Sequence, residues 1–315
     1  MISPRVVLPT SAELEALLAA YRRGIGVDAD ALVAEVADVD PDATLVDPLT
    51  EPFSSVADVA DRLARTEAAL RDRDDRRSVF LTVYVRMTEA VATAIEADEF
   101  ADPDWVASYL VAFAEYYRRA FLAFERREFD ALPRAWLVAF GTAARGDTLV
   151  AQDALLGINA HISYDLTYTL RDVGIDPDRG RKRADHDRIN DVLARLVSVV
   201  QTALVEVYAA AGVAGVDALF DPLDDRVALL GLEGSREFAW RNAVMLADLP
   251  PWLAGGYVGW RAGTVSTGVA TLIGTPRVDP ESRRRLEAFE ANVPVLAEFH
   301  DAFRLRSAST TTIGE

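Results

Sequence analysis

The chain has no cysteine, a single lysine (Lys182), and three histidines, His161, His186 and His300. Without cysteine there is no disulfide, no thiolate zinc site, no cysteine-held iron–sulfur cluster and no cysteine nucleophile. With lysine nearly absent, arginine carries almost all of the positive charge. The 33 basic residues face 50 acidic ones, for a formal net charge of −17. So acidic a chain lacks the basic face that phosphate neutralisation requires, which argues against nucleic acid as a partner. The same deficit argues against an anionic membrane. Excess aspartate without lysine fits solubility in concentrated salt, a halophilic setting, with ordinary acidity from a GC-rich genome as the alternative. The N-terminus lacks a basic region followed by an apolar core, so no signal peptide is expected and the cytoplasm is the expected location.

Regular alternation is also missing. No run with the period of a half-buried strand appears, nor any repeat of 30 to 45 residues. One long apolar run exists, Pro251 to Gly274, with Arg261 as its only charge. Its length would cross a bilayer, and Gly255, Gly259 and Gly263 have the spacing of close-packed membrane helices. A mid-span arginine is costly in lipid, and Thr264, Ser266, Thr267 and Thr271 add polarity. A buried helix with a glycine face open to a neighbour is expected, and no membrane partner.

The sequence does contain helix signals. Its 315 residues are half apolar, enough for one large domain or two modest ones. Thr10 and Glu13 form a capping-box pattern, and Asp28 to Ala37 suits a short second helix. Asp40 to Phe53 reads as a loop, after which Ser54 or Ser55 caps a helix. The charges of Arg71 to Arg77 read as a solvated turn. Asp102-Pro103 opens a helix whose stripe, Trp105, Tyr109, Phe113, Tyr116, Tyr117, Phe121 and Phe124, reads as core. Pro133 starts the next. Asp172 to Lys182 reads as a loop, with Asp185 capping a long helix to Tyr208. Further helices are expected over Leu223 to Leu230, Ser235 to Leu246, Trp252 to Ile273 and Pro280 to Phe303. The expected fold is all-α, a single compact bundle of about eight to ten helices. Residues 54–315 would form the core and 1–53 an accessory helical segment.

The chemistry concentrates in Val150 to Arg171. Wound at roughly 100° per residue, Asp153, Gly157, His161, Tyr164, Asp165, Tyr168 and Asp172 share an arc of about 120°. Most of the remaining girth is apolar, so this polar stripe is expected to face an internal cleft. His161 and Asp165, four residues apart, can converge on one ion or one substrate atom.

From Ser55 to about Leu246 the chain resembles a family of uncharacterised proteins, domain-of-unknown-function family 5995. The resemblance rests on Arg62-Leu63, Phe80 to Tyr84, Phe113 to Tyr117, Pro133 to Trp136, Leu156 to Leu166, Asp185 to Asn190 and Ala239-Trp240. Its most specific block is Gly157-Ile158-Asn159-Ala160-His161-Ile162-Ser163-Tyr164-Asp165-Leu166. It implies a family but no reaction. A weaker likeness, through Gly157, His161 and Asp165, is to the all-helical zinc-dependent phospholipase C and single-strand nuclease group. Those enzymes hold three zinc ions with several histidines, so three histidines here exclude a trinuclear site and leave one or two metals open.

Two functional expectations of different classes follow. The first is a metal-assisted hydrolase of a small anionic, phosphoester-like substrate. A divalent metal such as zinc or manganese would sit on His161 and Asp165 with His186, Asp187 or Asp153. Arg181 and Arg183 would hold the anion, with Tyr164, Tyr168 and Asn190 contacting the substrate. The second is a non-catalytic ligand- or partner-binding protein in which His161 pairs with Asp165 and Asn159 ties its helix to a neighbouring backbone. Between them lies a metal-free dyad, Asp165 orienting His161 as general base. Nucleophile elbows and phosphate-binding loops are absent. His300 is expected on an exposed C-terminal helix, without a role.

Overall fold

Side-chain caps and prolines divide the chain into helices. The computed structural model describes residues 11–210, 232–275, 280–292 and 294–311, and no strand occurs among them. The helices are α1 (Ser11–Ile25), α2 (Ala29–Glu35), α3 (Ala43–Val46), α4 (Val56–Arg71), α5 (Ser78–Glu96), α6 (Pro103–Glu125) and α7 (Arg134–Arg145). Next comes α8, built of α8a (Val150–Asn159), a π-helical turn (Ala160–Asp165) and α8b (Leu166–Val173). It is followed by α9 (Arg179–Ala210), α10 (Leu232–Asp248), α11 (Pro251–Gly274), α12 (Pro280–Asn292) and α13 (Val295–Thr311). The all-α expectation holds, in thirteen helices among the described residues rather than eight to ten.

Where caps were read correctly, the chemistry is visible. Ser55 accepts the amide of Asp58 and opens α4, and Asp102 accepts that of Trp105 and opens α6, with Pro103 in the first turn where its missing N–H leaves no gap. Gly146 ends α7 with a positive φ of 70°, a conformation in which glycine carries no Cβ penalty.

Five readings are corrected. Asp42 caps α3 inside the expected loop of residues 40–53, and a 3₁₀ turn, Asp47–Leu49, follows it; Leu45 and Leu49 are buried there. The Arg71 to Arg77 cluster is a turn solvated only in its middle, at Asp72, Arg73 and Asp74. Arg77 is buried between Asp75 and Glu125, and Arg76 pairs with Asp153 and Glu290. The long helix α9 starts at Arg179, within the expected loop, and Asp185 accepts the backbone amides of Ala101 and Asp102 instead of capping it. Pro294 separates α12 from α13 where one helix was expected. Finally, α11 is buried mainly in its C-terminal half, with Trp252, Leu253, Tyr257 and Trp260 exposed; Gly259 and Gly263 face Tyr168 and Tyr164 of α8, and the close helix approach, to α1, is at Gly268. A Cβ on Gly268 would lie 1.8 Å from the Ala20 carbonyl oxygen, and one on Gly24 1.9 Å from that of Thr264. Backbone there touches backbone. The Thr10 cap and the Leu223 to Leu230 helix lie outside the described residues.

Within the bundle α8 is the hub. It packs against α5, α6, α7, α10 and α11, and its π turn touches the last four of these. α11 is not apolar enough over its length to qualify as a span; the one described helix that does is α5, and most of its surface is buried inside the bundle.

Candidate functional site

Two contacts fix α8 just before its π turn. Phe80 of α5 presses on Gly157, where a Cβ would fall 2.3 Å from the ring's Cγ, so only glycine fits. Two residues on, the Asn159 side-chain amide donates to the Ser266 carbonyl of α11 at 2.8 Å, the inter-helix tie expected from the sequence. The chain then widens into the π turn, Ala160–Asp165. Such turns interrupt α-helices at functional sites more often than elsewhere.

This turn carries His161 and Asp165, each 1% exposed. His161 Nδ1 lies 2.9 Å from Asp165 Oδ2, and the indole N–H of Trp136 donates to the same oxygen at 2.8 Å. The carboxylate therefore accepts twice, which makes Nδ1 the protonated nitrogen and leaves the lone pair on Nε2. Burial lowers the His161 pKa, with Asp165 opposing, so the ring is neutral near pH 7. Burial also raises the Asp165 pKa, against the pull of His161 and Trp136. Phe113 stacks on the imidazole face at 3.6 Å between centroids, and Tyr84 meets it edge-on at 4.6 Å. Nε2 is buried and has no hydrogen-bond partner.

The pair stands between two spaces. On the His161 side is a small, partly open cavity of about 60 Å³ among α5, α6, α8, α9 and α10. Phe80, Met87, Val91, Val106, Leu110, Phe113, Ile158, Ile162, Ile189 and Leu193 make it apolar; Tyr84, Thr88, Tyr109, His161 and Arg236 are its polar exceptions. His161 is part of this wall, and with Nδ1 turned to Asp165, Nε2 is its nitrogen without a partner. On the Asp165 side is an outer cleft of about 650 Å³ that includes Tyr116, Arg118, Arg119, Tyr164, Tyr168 and Arg171. Three of its four arginines are paired, Arg118 and Arg119 with Glu115 and Arg171 with Asp172; the fourth is Arg126.

The expected metal ligands do not come together. Only His161 and Asp165 meet. Asp153 is held by Arg76 and Thr148, its pKa pushed up to about 7 by burial against the pull of Arg76. Asp187 pairs with Arg183 at the surface. His186 is fully buried, with Nδ1 3.1 Å from the Tyr109 hydroxyl and 3.2 Å from Arg236 Nη2, and its Nε2 also lacks a partner. Burial first, then the charges of Arg236 and Arg183, push its pKa well below the usual histidine value. Among the described residues no group of three or more His, Asp or Glu side chains is placed to hold a metal ion.

The expected substrate contacts scatter as well. Tyr164 and Tyr168 line the outer cleft, Arg183 pairs with Asp187 and Glu237, and Arg181 is exposed near the start of α9. Asn190 does not line the cavity, but its Oδ1 accepts from the Nε of Arg236, which does. Arg236 itself was missed. Its signal was helical spacing, since it precedes the buried Ala239, Trp240 and Ala243 on one face of α10. His300, expected to be exposed, is buried against Ser78 and Thr82 of α5.

A family model described as a family of unknown function (DUF5995) matches residues 56–276, a span that contains the cavity and the His161–Asp165 pair. No curated protein and no solved structure matches the chain.

Proposed function

Since the chain belongs to this family of unknown function (DUF5995), whose description carries no activity, we propose from the geometry alone that it binds a small, largely apolar molecule in the cavity beside His161. One observation carries the reading. His161 Nε2 is a buried acceptor without a donor, on a ring whose other nitrogen is fixed by Asp165. Leaving such a group unsatisfied costs about 1–3 kcal/mol, and a ligand O–H or N–H directed at it recovers much of that cost. Apolar walls with a few convergent polar groups are the usual composition of small-molecule sites.

Metal-assisted hydrolysis has less support, because His186, Asp187 and Asp153 have other partners and lie outside any shared cluster. General-base chemistry remains compatible with the same pair. A carboxylate on Nδ1 keeps Nε2 unprotonated and aimed, which is the state a base needs. Binding is the more economical reading, since it asks for nothing beyond the cavity and one acceptor.

The test is titration calorimetry with phenol and with benzene, which share a ring and differ in one donor; at about 60 Å³ the cavity has to widen to admit either. Phenol is expected to bind about tenfold more tightly than benzene, the worth of one hydrogen bond. Leu110→Trp, which fills the cavity, should abolish both. Absence of binding by either compound, or binding that survives the filled cavity, would overturn the proposal.

A further inference from the structure

We propose that the molecule held in this cavity is a carboxylate, its charge met by Arg236. The inference rests on the cavity reading above and adds the chemical class of the ligand. Arg236 is 2% exposed, on α10, and lines the cavity. Its Nε donates to Asn190 Oδ1, and its Nη2 to the His186 carbonyl at 2.7 Å and toward His186 Nδ1. These partners are neutral. The Tyr109 hydroxyl, also neutral, shares a further side-chain hydrogen bond with the guanidinium.

A buried guanidinium without a counter-charge is costly, because desolvation is no longer offset by a nearby anion. Among the described residues the other buried arginines follow the rule. Arg77 is matched by Asp75 and Glu125, and Arg118 by Glu115. Near Arg236 the acids are already engaged: Glu237 by Arg183 and Arg241, Asp187 by Arg183. Among the described residues nothing negative faces Arg236, and what it does face is the cavity. An anion entering there gains a charge-assisted hydrogen bond in a site of low dielectric.

The rest of the wall restricts which anion. Apart from Arg236 the polar groups are hydroxyls and the lone pair of His161 Nε2, and the lone pair disfavours a second negative oxygen. A phosphate dianion would lack donors on most of its oxygens. A monocarboxylate on an apolar body needs one guanidinium edge and leaves its carbon skeleton to Phe113, Val106 and Leu110. If it also carries a hydroxyl, that group can donate to His161.

The experiment compares benzoate with benzyl alcohol, near-isosteres that differ in charge, by calorimetry on the wild-type chain, Arg236→Met and Asn190→Asp. The wild type should prefer benzoate by about tenfold or more, as expected for a hydrogen bond to a charged group. Arg236→Met should erase that preference while retaining benzyl alcohol. Should Arg236→Met fail to fold, Asn190→Asp supplies an internal carboxylate at Arg236 Nε and should erase the preference in a folded protein. Equal binding of the two compounds to the wild type, or a benzoate preference that survives Asn190→Asp, would overturn the carboxylate assignment and leave the cavity reading standing. If neither compound binds the wild type, the cavity reading fails and the assignment falls with it.

Discussion

At the scale of the residue, the site is defined by which buried polar atoms have partners and which do not. His186 makes this measurable. Its pKa is held well below the usual value of about 6.5 by burial, Arg236 and Arg183. Below that value the unfolded chain takes up a proton that the folded chain refuses. Stability from this residue is therefore complete above about pH 6.5 and declines as the pH falls further. Asp153, raised to about 7, acts in the opposite sense between its unfolded value near 4 and pH 7, because the folded state holds its proton more tightly. The informative quantity is thus a difference between variants. Melting temperatures of wild type and His186→Gln, measured from pH 7.5 to 5.5, should show the wild type losing more on acidification. Parallel curves would mean that His186 titrates normally. Sequence made His161, Asp165 and Asn159 legible, because helical spacing put them on known faces. Arg236 escaped, since an arginine in a polar stretch of an acidic chain looks like surface, and only the packing of α10 reveals that its face is buried.

At the scale of the element, the π turn organises the site, and its position depends on Gly157 meeting Phe80. Gly157→Ala would force a methyl group into the ring, an overpacking that costs about 1–3 kcal/mol. Thermal or urea denaturation should show this loss, and adding Phe80→Leu should restore part of it. Non-additivity of that sign is expected only for side chains in contact; simple addition of two losses would contradict the packing account. The π turn was not legible in the sequence. The spacing of His161 and Asp165 is equally compatible with a plain α-helix, and the contacts of α8 with α5 and α11 next to the turn are tertiary. The same holds for His300. It was read on one continuous exposed helix, but Pro294 breaks that helix, and α13 lies against α5 with the imidazole inside.

At the scale of the whole molecule, the all-α class and most helix boundaries followed from caps, prolines and 3.6-residue periodicity, which are local. What did not follow was which faces meet. Two glycines of the α11 triplet face the tyrosines of α8, yet the backbone-to-backbone crossing, with α1, is at Gly268 and Gly24. That crossing is the main attachment of the first 53 residues to the region that defines the family. Gly268→Val should displace α1, exposing residues 11–28 to limited proteolysis while the remainder unfolds cooperatively at a similar temperature. Loss of the whole cooperative transition would instead show that residues 1–53 are integral to the core.

The central claim is that His161 presents an unprotonated Nε2 to a ligand cavity, and nitrogen NMR of histidine-labelled protein reads it directly. His161 is assigned by the signal missing in His161→Gln. Near pH 7 its Nδ1 should appear protonated and its Nε2 bare, and phenol should move the Nε2 resonance in the direction of an accepted hydrogen bond while those of His300 stay in place. A protonated Nε2 in the free protein, or an Nε2 resonance indifferent to saturating phenol, would contradict the account.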